Sequence, residues 1–336
     1  MNQNQELSVF VGDFVSTNSV DAVSGIRAAV KRAMAIGARK IVFEPGTYCL
    51  HTSSCLGKTS KEDPIIGRKG WEERQCHLLI ERFSGLTLQG AVDASGNPAT
   101  ELVGFNDGIN NGLLPSILWI EDCQQLTLEN LTFTRNPEYA SAGEVVAVEG
   151  DTVQVEVFEG NPCYDGMGTY CLNRIDPCSG ALLGNSVTFG EGADNSWKLL
   201  GGRRLELHDS KVASQVNTGE YLSWHQGAKT DFQVYIGRCR DVQLSNIRTC
   251  NSNGFCLITE GCEDVRADRV VFKPRGNQLF TGPRDAWKIG KCSGHFEISG
   301  MAVEGVRMDG QNMHSNWMVL EQIGRASCRE RVSFTV

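Results

Sequence analysis

Five stretches of the chain carry apolar residues at one spacing, relative positions 0, +3, +5 and +8. They are Phe83/Leu86/Leu88/Ala91, Cys123/Leu126/Leu128/Leu131, Cys239/Val242/Leu244/Ile247, Cys262/Val265/Ala267/Val270 and Cys292/Phe296/Ile298/Met301, the last with one extra residue after its cysteine. The step from Cys239 to Cys262 is 23 residues, the period of stacked supersecondary units rather than of a closed sheet. Inside each unit the +3/+5 pair is the period-two alternation of a strand with one buried face. The period also suits a leucine-rich repeat, but that repeat's Asn-containing signature is absent. Short strands joined by Gly and Asn turns predict an all-β fold, a right-handed parallel β-helix.

The ends of such a stack expose strand edges and apolar surface, so a cap is required. Val23, Ile26, Val30 and Ala33 recur at helical spacing and Gly37 is placed to stop a helix there, which predicts an N-terminal capping helix. Residues 39–48 then read as a first strand and turn. This opening, a helix followed by IVFEPGTYCL at 41–50, resembles the entry segment of pectate-lyase-like β-helix proteins.

The period is lost between the second and third repeats, those of Cys123 and Cys239. Residues 144–148 and 152–157 flank Glu149-Gly150-Asp151 as a hairpin, and 187–189 and 204–207 read as further short strands. The expected organisation is therefore a cap and first coils over 1–140, an inserted small β-barrel-like subdomain over 141–212, and further coils over 213–322. Residues 161–169 read as a surface loop. Residues 323–332 resemble the translated read-through of a sequencing adapter, so 323–336 are expected to be a non-native tail.

Composition narrows function. With 32 Lys and Arg against 40 Asp and Glu the formal charge is −8, a poor match to a phosphate backbone, so no nucleic-acid partner is expected. No apolar run approaches the ~18 residues of a membrane span, and no membrane partner is expected. No leader is visible at Met1, which makes a cytoplasmic location the default reading. Thirteen cysteines without CxxC or Cys/His zinc spacing read as small buried thiols, with a bridge among Cys163, Cys171 and Cys178 left open. No phosphate-cradling loop or metal constellation implies a cofactor.

The chemistry points to two aspartates. Phe255 and Asp285 each precede the next repeat cysteine by seven residues, and Asp309 lies 24 after Asp285. Equivalent positions on successive coils sit about 5 Å apart, and like charges that close favour holding one carboxyl protonated, the arrangement of an acid/base pair. Around them Trp287 offers a sugar-stacking face, Lys288, Arg307, Asn312 and His314 offer polar contacts, and Trp224-His225 offers a further ligand surface. The alternatives are a solvated ion-pair ladder of the aspartates with Arg284 and Arg307, and core packing for Trp287. Glu260, Glu304 and Asp264 read as solvent-facing charges.

Residues 221–320 resemble glycoside hydrolase family 110, the exo-acting α-1,3-galactosidases. The resemblance is carried by CEDVRADRVVFKP at 262–274, Asp285-Ala286, Cys292-Ser293-Gly294 and the segment Asp309 to His314 with its Asn312. It implies a hydrolase of terminal α-linked galactose, inverting, with Asp285 and Asp309 as the catalytic carboxyls and Asn312 and His314 beside them. Where the family has two consecutive aspartates this chain has Met308-Asp309, so only Asp309 carries over. The implied partner is an oligosaccharide or glycoconjugate; the oligomeric state is open, a homodimer included. A polysaccharide lyase of the same fold and a non-catalytic carbohydrate-binding protein are the competing readings.

Overall fold

The structure, a computed structural model, describes residues 7–56, 75–105, 114–188, 195–226 and 232–314. The tail expected over 323–336 lies outside them. Two parallel sheets contain the repeats. The first runs in the order Ser8–Phe10, Lys40–Val42, Ser84–Gln89, Gln124–Asn136, Arg240–Thr249, Glu263–Phe272, Ser293–Ser299, and Thr100–Phe105 pairs with the far half of Gln124–Asn136 and with Gly46–Leu50. The second stacks Gln75–Glu81, Ser116–Glu121, Phe232–Gly237, Phe255–Glu260, Trp287–Gly290 and Gln311–His314.

The apolar spacing sets the register. Leu86, Leu126, Val242, Val265 and Phe296 are paired neighbours across the first sheet, as are Leu88, Leu128, Leu244, Ala267 and Ile298. The extra residue of the last repeat is absorbed as a register shift between Glu263/Ser293 and Val265/Phe296. The position before each repeat turns the chain from the second sheet into the first with a left-handed backbone: Arg82, Asp122, Arg238, Gly261 and Lys291 have φ of 50–62°. For the four residues with a side chain that conformation costs roughly 1 kcal/mol or more each. The cysteines that follow help hold it. The thiols of Cys123, Cys239 and Cys292 donate to the carbonyls of Glu121, Gly237 and Gly290 at 3.2–3.3 Å, which explains a small, weakly donating residue at this corner. Seven of the eleven described cysteines are buried and all eleven are free thiols, so the bridge left open among Cys163, Cys171 and Cys178 does not form.

The predicted cap is present as the helix Val23–Ile36, closed by Gly37 at φ 67° with its N–H on the Ala33 and Met34 carbonyls. Val23, Ile26, Ala29 and Ala33 are buried in the core shared by the two parallel sheets. Asp21 ties the helix start to the chain just beyond the strand Gly46–Leu50. Its Oδ1 accepts from the N–H groups of Val23 and His51 at 3.1 Å, and its Oδ2 accepts from the Thr52 N–H and hydroxyl. Burial pushes its pKa up, but these bonds outweigh it and hold the group at about 2. Asp21→Ala is expected to cost about 1–2 kcal/mol in urea denaturation at neutral pH. Because the folded pKa is depressed, that difference is present above about pH 3.8 and is lost as pH falls through about 2. The strand Ser8–Phe10, paired in parallel with Lys40–Val42, was not anticipated, since three residues carry no readable period.

The third sheet is antiparallel, in the order Tyr170–Ile175, Tyr221–His225, Ala140–Glu149, Thr152–Val157, Arg204–His208, Lys198–Gly201. The expected hairpin turns at Gly150, φ 58°, and its alternating valines enter a separate core with Leu205, Leu207, Trp197 and Trp224. Of the strand expected at 187–189, Val187 and Thr188 form a bend across Leu172 through backbone and hydroxyl bonds, and residue 189 lies outside the described residues. The 161–169 segment is no simple surface loop either, because Asn161, Met167 and Thr169 are buried, Met167 within the core of this sheet.

Candidate active site

In the second sheet Leu257, Trp287 and Gln311 are paired neighbours, followed by Ile258, Lys288 and Asn312. Two residues earlier the same register aligns Phe255, Asp285 and Asp309, with Cys256 N–H on the Asp285 carbonyl at 3.3 Å and Ala286 N–H on the Asp309 carbonyl at 3.0 Å. Ala286 and Trp287 both lie in the core, so strict alternation breaks there and Asp285 faces away from it.

The two carboxyls differ in surroundings. Asp285 is 4% exposed; burial raises its pKa and the neighbouring Asp309 charge adds to the rise, while the Asp309 backbone N–H, Lys288 and Arg284 act against it. Asp309 is exposed, and its Oδ2 accepts from Asn312 Nδ2 at 2.8 Å. Phe255 completes the row: the Lys288 ammonium lies 5.1 Å and the Arg284 guanidinium 5.7 Å from its ring centroid, near enough for cation–π attraction. Phe255 in turn abuts a ladder of rings on the same side of the sheet, Phe232, Tyr235 and Trp119, the last two stacked at 3.9 Å. His314 is exposed at the far end of its strand, its pKa lowered first by partial burial and then by Lys288 and Lys291, with Asp285 acting the other way. The group that results is a carboxyl biased toward its protonated form, a water-facing carboxylate one rung away, and an ammonium, an amide and an imidazole around them.

Three expected ligand contacts are placed elsewhere. Trp287 is fully buried in the core, its indole N–H donating to Thr259 Oγ1 at 3.1 Å, so it has no face for a sugar. Trp224 is fully buried in the antiparallel core, 4.7 Å from Trp197 and bonded to Met167 Sδ, and His225 beside it is buried as well. Arg307 lies 3.7 Å over the Phe280 ring and donates to Asn173 Oδ1 and Ser223 Oγ, stapling the parallel sheets to the antiparallel one. A buried guanidinium needs such partners, and burial lowers its pKa. With Arg307 engaged by Asn173 and Ser223, the ladder expected to alternate it with the aspartates does not form, and Arg284 acts on Asp285 only through its charge. Glu260, read as solvent-facing, is 1% exposed, whereas Glu304 is exposed and pairs with Lys273.

The sequence reading also missed a cavity of about 620 Å³ that none of these residues line. It opens where Glu101, Glu138 and Arg275 meet, residues whose separation in the chain leaves no local pattern to read. Among the described residues no group of three or more His, Cys, Asp or Glu is placed to hold a metal ion, and no helix is long and apolar enough to cross a membrane.

No family model and no curated protein matches the sequence. Among solved structures the chain is similar to two mannuronan C-5 epimerase modules of Azotobacter vinelandii, at 11% identity and TM-score 0.40 over 90% of this chain, and at 12% and 0.37 over 91%. It spans 58% and 59% of their lengths. It is also similar to a candidate glycosyl hydrolase from Parabacteroides merdae, at 10% identity and TM-score 0.35, covering 92% of this chain and 97% of that one.

Proposed function

We propose that the chain is a glycoside hydrolase on a right-handed parallel β-helix, with the antiparallel sheet between Ala140 and His225, rather than 141–212, as an inserted subdomain, and that it removes terminal α-linked galactose from an oligosaccharide or glycoconjugate. Asp285 is the general acid and Asp309 the general base. One observation carries the reading: two carboxyls on neighbouring rungs, one buried and raised in pKa, the other exposed and amide-held. Asp285 gives its proton to the glycosidic oxygen as the C1–O bond breaks, and Asp309 takes a proton from the water that forms the new bond to C1. Lys288, Asn312 and His314 supply hydrogen bonds to sugar hydroxyls.

Neighbouring strands stand about 4.8 Å apart, and inversion needs carboxyls about 6.5–9.5 Å apart, so the two side chains must splay as they leave the sheet. The product anomer reports this directly. Incubated with a panel of aryl α- and β-glycosides and followed by proton NMR, the protein is expected to cleave α-galactosides, to release the β-anomer first and to be indifferent to chelator. Release of the α-anomer first would make Asp309 a nucleophile. Chelator-sensitive cleavage of uronate polymers, with no turnover of neutral glycosides, would replace the hydrolase by a lyase.

A further inference from the structure

We propose that the cleft walled by Glu101, Glu138 and Arg275 is a second saccharide site, separate from the aspartate pair, that binds a neutral sugar chain of about two units. Its volume of about 620 Å³ lies within the ~300–1,000 Å³ of small-molecule sites, and a neighbouring hollow of about 200 Å³ shares Thr47, Glu101 and Arg275 with it. The Glu101–Arg275 ion pair stands between the two, and the sugar chain is placed in the larger hollow.

Charge selects the ligand. Glu101 is bonded to Arg275 and Thr47, and Arg135 adds a second guanidinium to the lining. Glu138 faces the same space, its pKa raised by burial while Gln278 and Arg275 act against the rise. Within the larger hollow two carboxyls stand opposite two guanidiniums and leave no net charge to attract a uronate or an amino sugar, and each would lie against a like charge; Arg248 lines only the smaller hollow, outside this balance.

The walls also match the two-sided chemistry of a sugar ring. Phe105, held by stacking on His51 at 3.8 Å, offers an apolar surface for ring C–H groups. Tyr164 donates to Gln226 Oε1 at 2.7 Å, fixing a polar pair in the lining. Asn161 is 4% exposed and donates to the Asn277 carbonyl, while its Oδ1 has no protein partner, an acceptor that a ligand hydroxyl satisfies.

Binding is measured in the full chain carrying Asp285→Asn and Asp309→Asn, so that turnover at the aspartates plays no part. The probes are neutral methyl glycosides and disaccharides of galactose, mannose and glucose, with galacturonate and glucosamine as charged controls, read by saturation-transfer NMR and calorimetry. At least one neutral disaccharide is expected to bind, at least tenfold more tightly than either control. Arg275→Ala is expected to weaken it at least tenfold with an unchanged melting curve. If that variant does not fold, the isosteric Glu138→Gln carries the test, with a loss of fivefold or more. Unchanged affinity in the folded variants, preference for a charged control, or no binding of any neutral probe at millimolar concentration would overturn the proposal. Hydrolysis by the wild-type protein is read separately, so either idea can fail without the other.

Discussion

Asp285→Asn is expected to lower turnover of a sugar-linked α-galactoside by about 10²–10⁴-fold, the usual worth of a positioned general acid. The effect should shrink sharply on an aryl galactoside whose nitrophenolate leaves without a proton. Asp309→Asn should cost a similar factor on both substrates, because activating water is needed whichever group departs. That contrast assigns the two roles, and equal sensitivity of both variants to the leaving group would exchange or abolish them. If each variant keeps turnover within tenfold of the parent, the pair is not catalytic.

Stability should move differently in the two variants. Asp285 has a folded pKa raised above its unfolded value, so between those values the native state keeps a proton that the unfolded chain has lost. Wild-type stability therefore falls as pH rises through that window, and the loss persists above it. Asp285→Asn removes this decline, so its melting temperature at neutral pH should not lie below that of the parent. Activity should follow the same titration and decline as pH rises past the Asp285 pKa. Asp309 is exposed, and its replacement should change stability by no more than about 0.5 kcal/mol.

Trp287→Ala is expected to destabilise the protein by about 3–5 kcal/mol, the cost of emptying a large aromatic from a packed core. Trp287→Phe should recover most of the packing and lose only the bond to Thr259. Where Trp287→Ala is still folded, its KM should match the parent. A variant that kept its stability but raised KM would put the indole on a ligand instead.

Trp287 also marks where alternation misleads. Strict period two would set Trp287 on the face of Asp285, two residues away, which is why it read as a sugar platform. Ala286 and Trp287 both point into the core at a corner of the chain path, and the faces exchange there. The count that aligned Asp285 with Asp309 survived because it compares equivalent points on successive rungs and never crosses a corner. Arg307 misled for another reason. Polarity marks it as a surface group, yet Phe280, Asn173 and Ser223 enclose it where the two sheet systems meet.

The amino-acid order alone determined the strand register, the corner cysteines, the helix that covers the first rungs and the alignment of the two aspartates. In-register stacking asks the same kind of residue at the same point of every rung, and so writes itself into the chain as a period. Only the tertiary structure decided which aromatics are buried, how Arg307 joins the sheets and that Glu101 meets Arg275 from 174 positions away. Those contacts depend on how the antiparallel sheet and the long loops lie against the repeats, and a contact made once leaves no period to read.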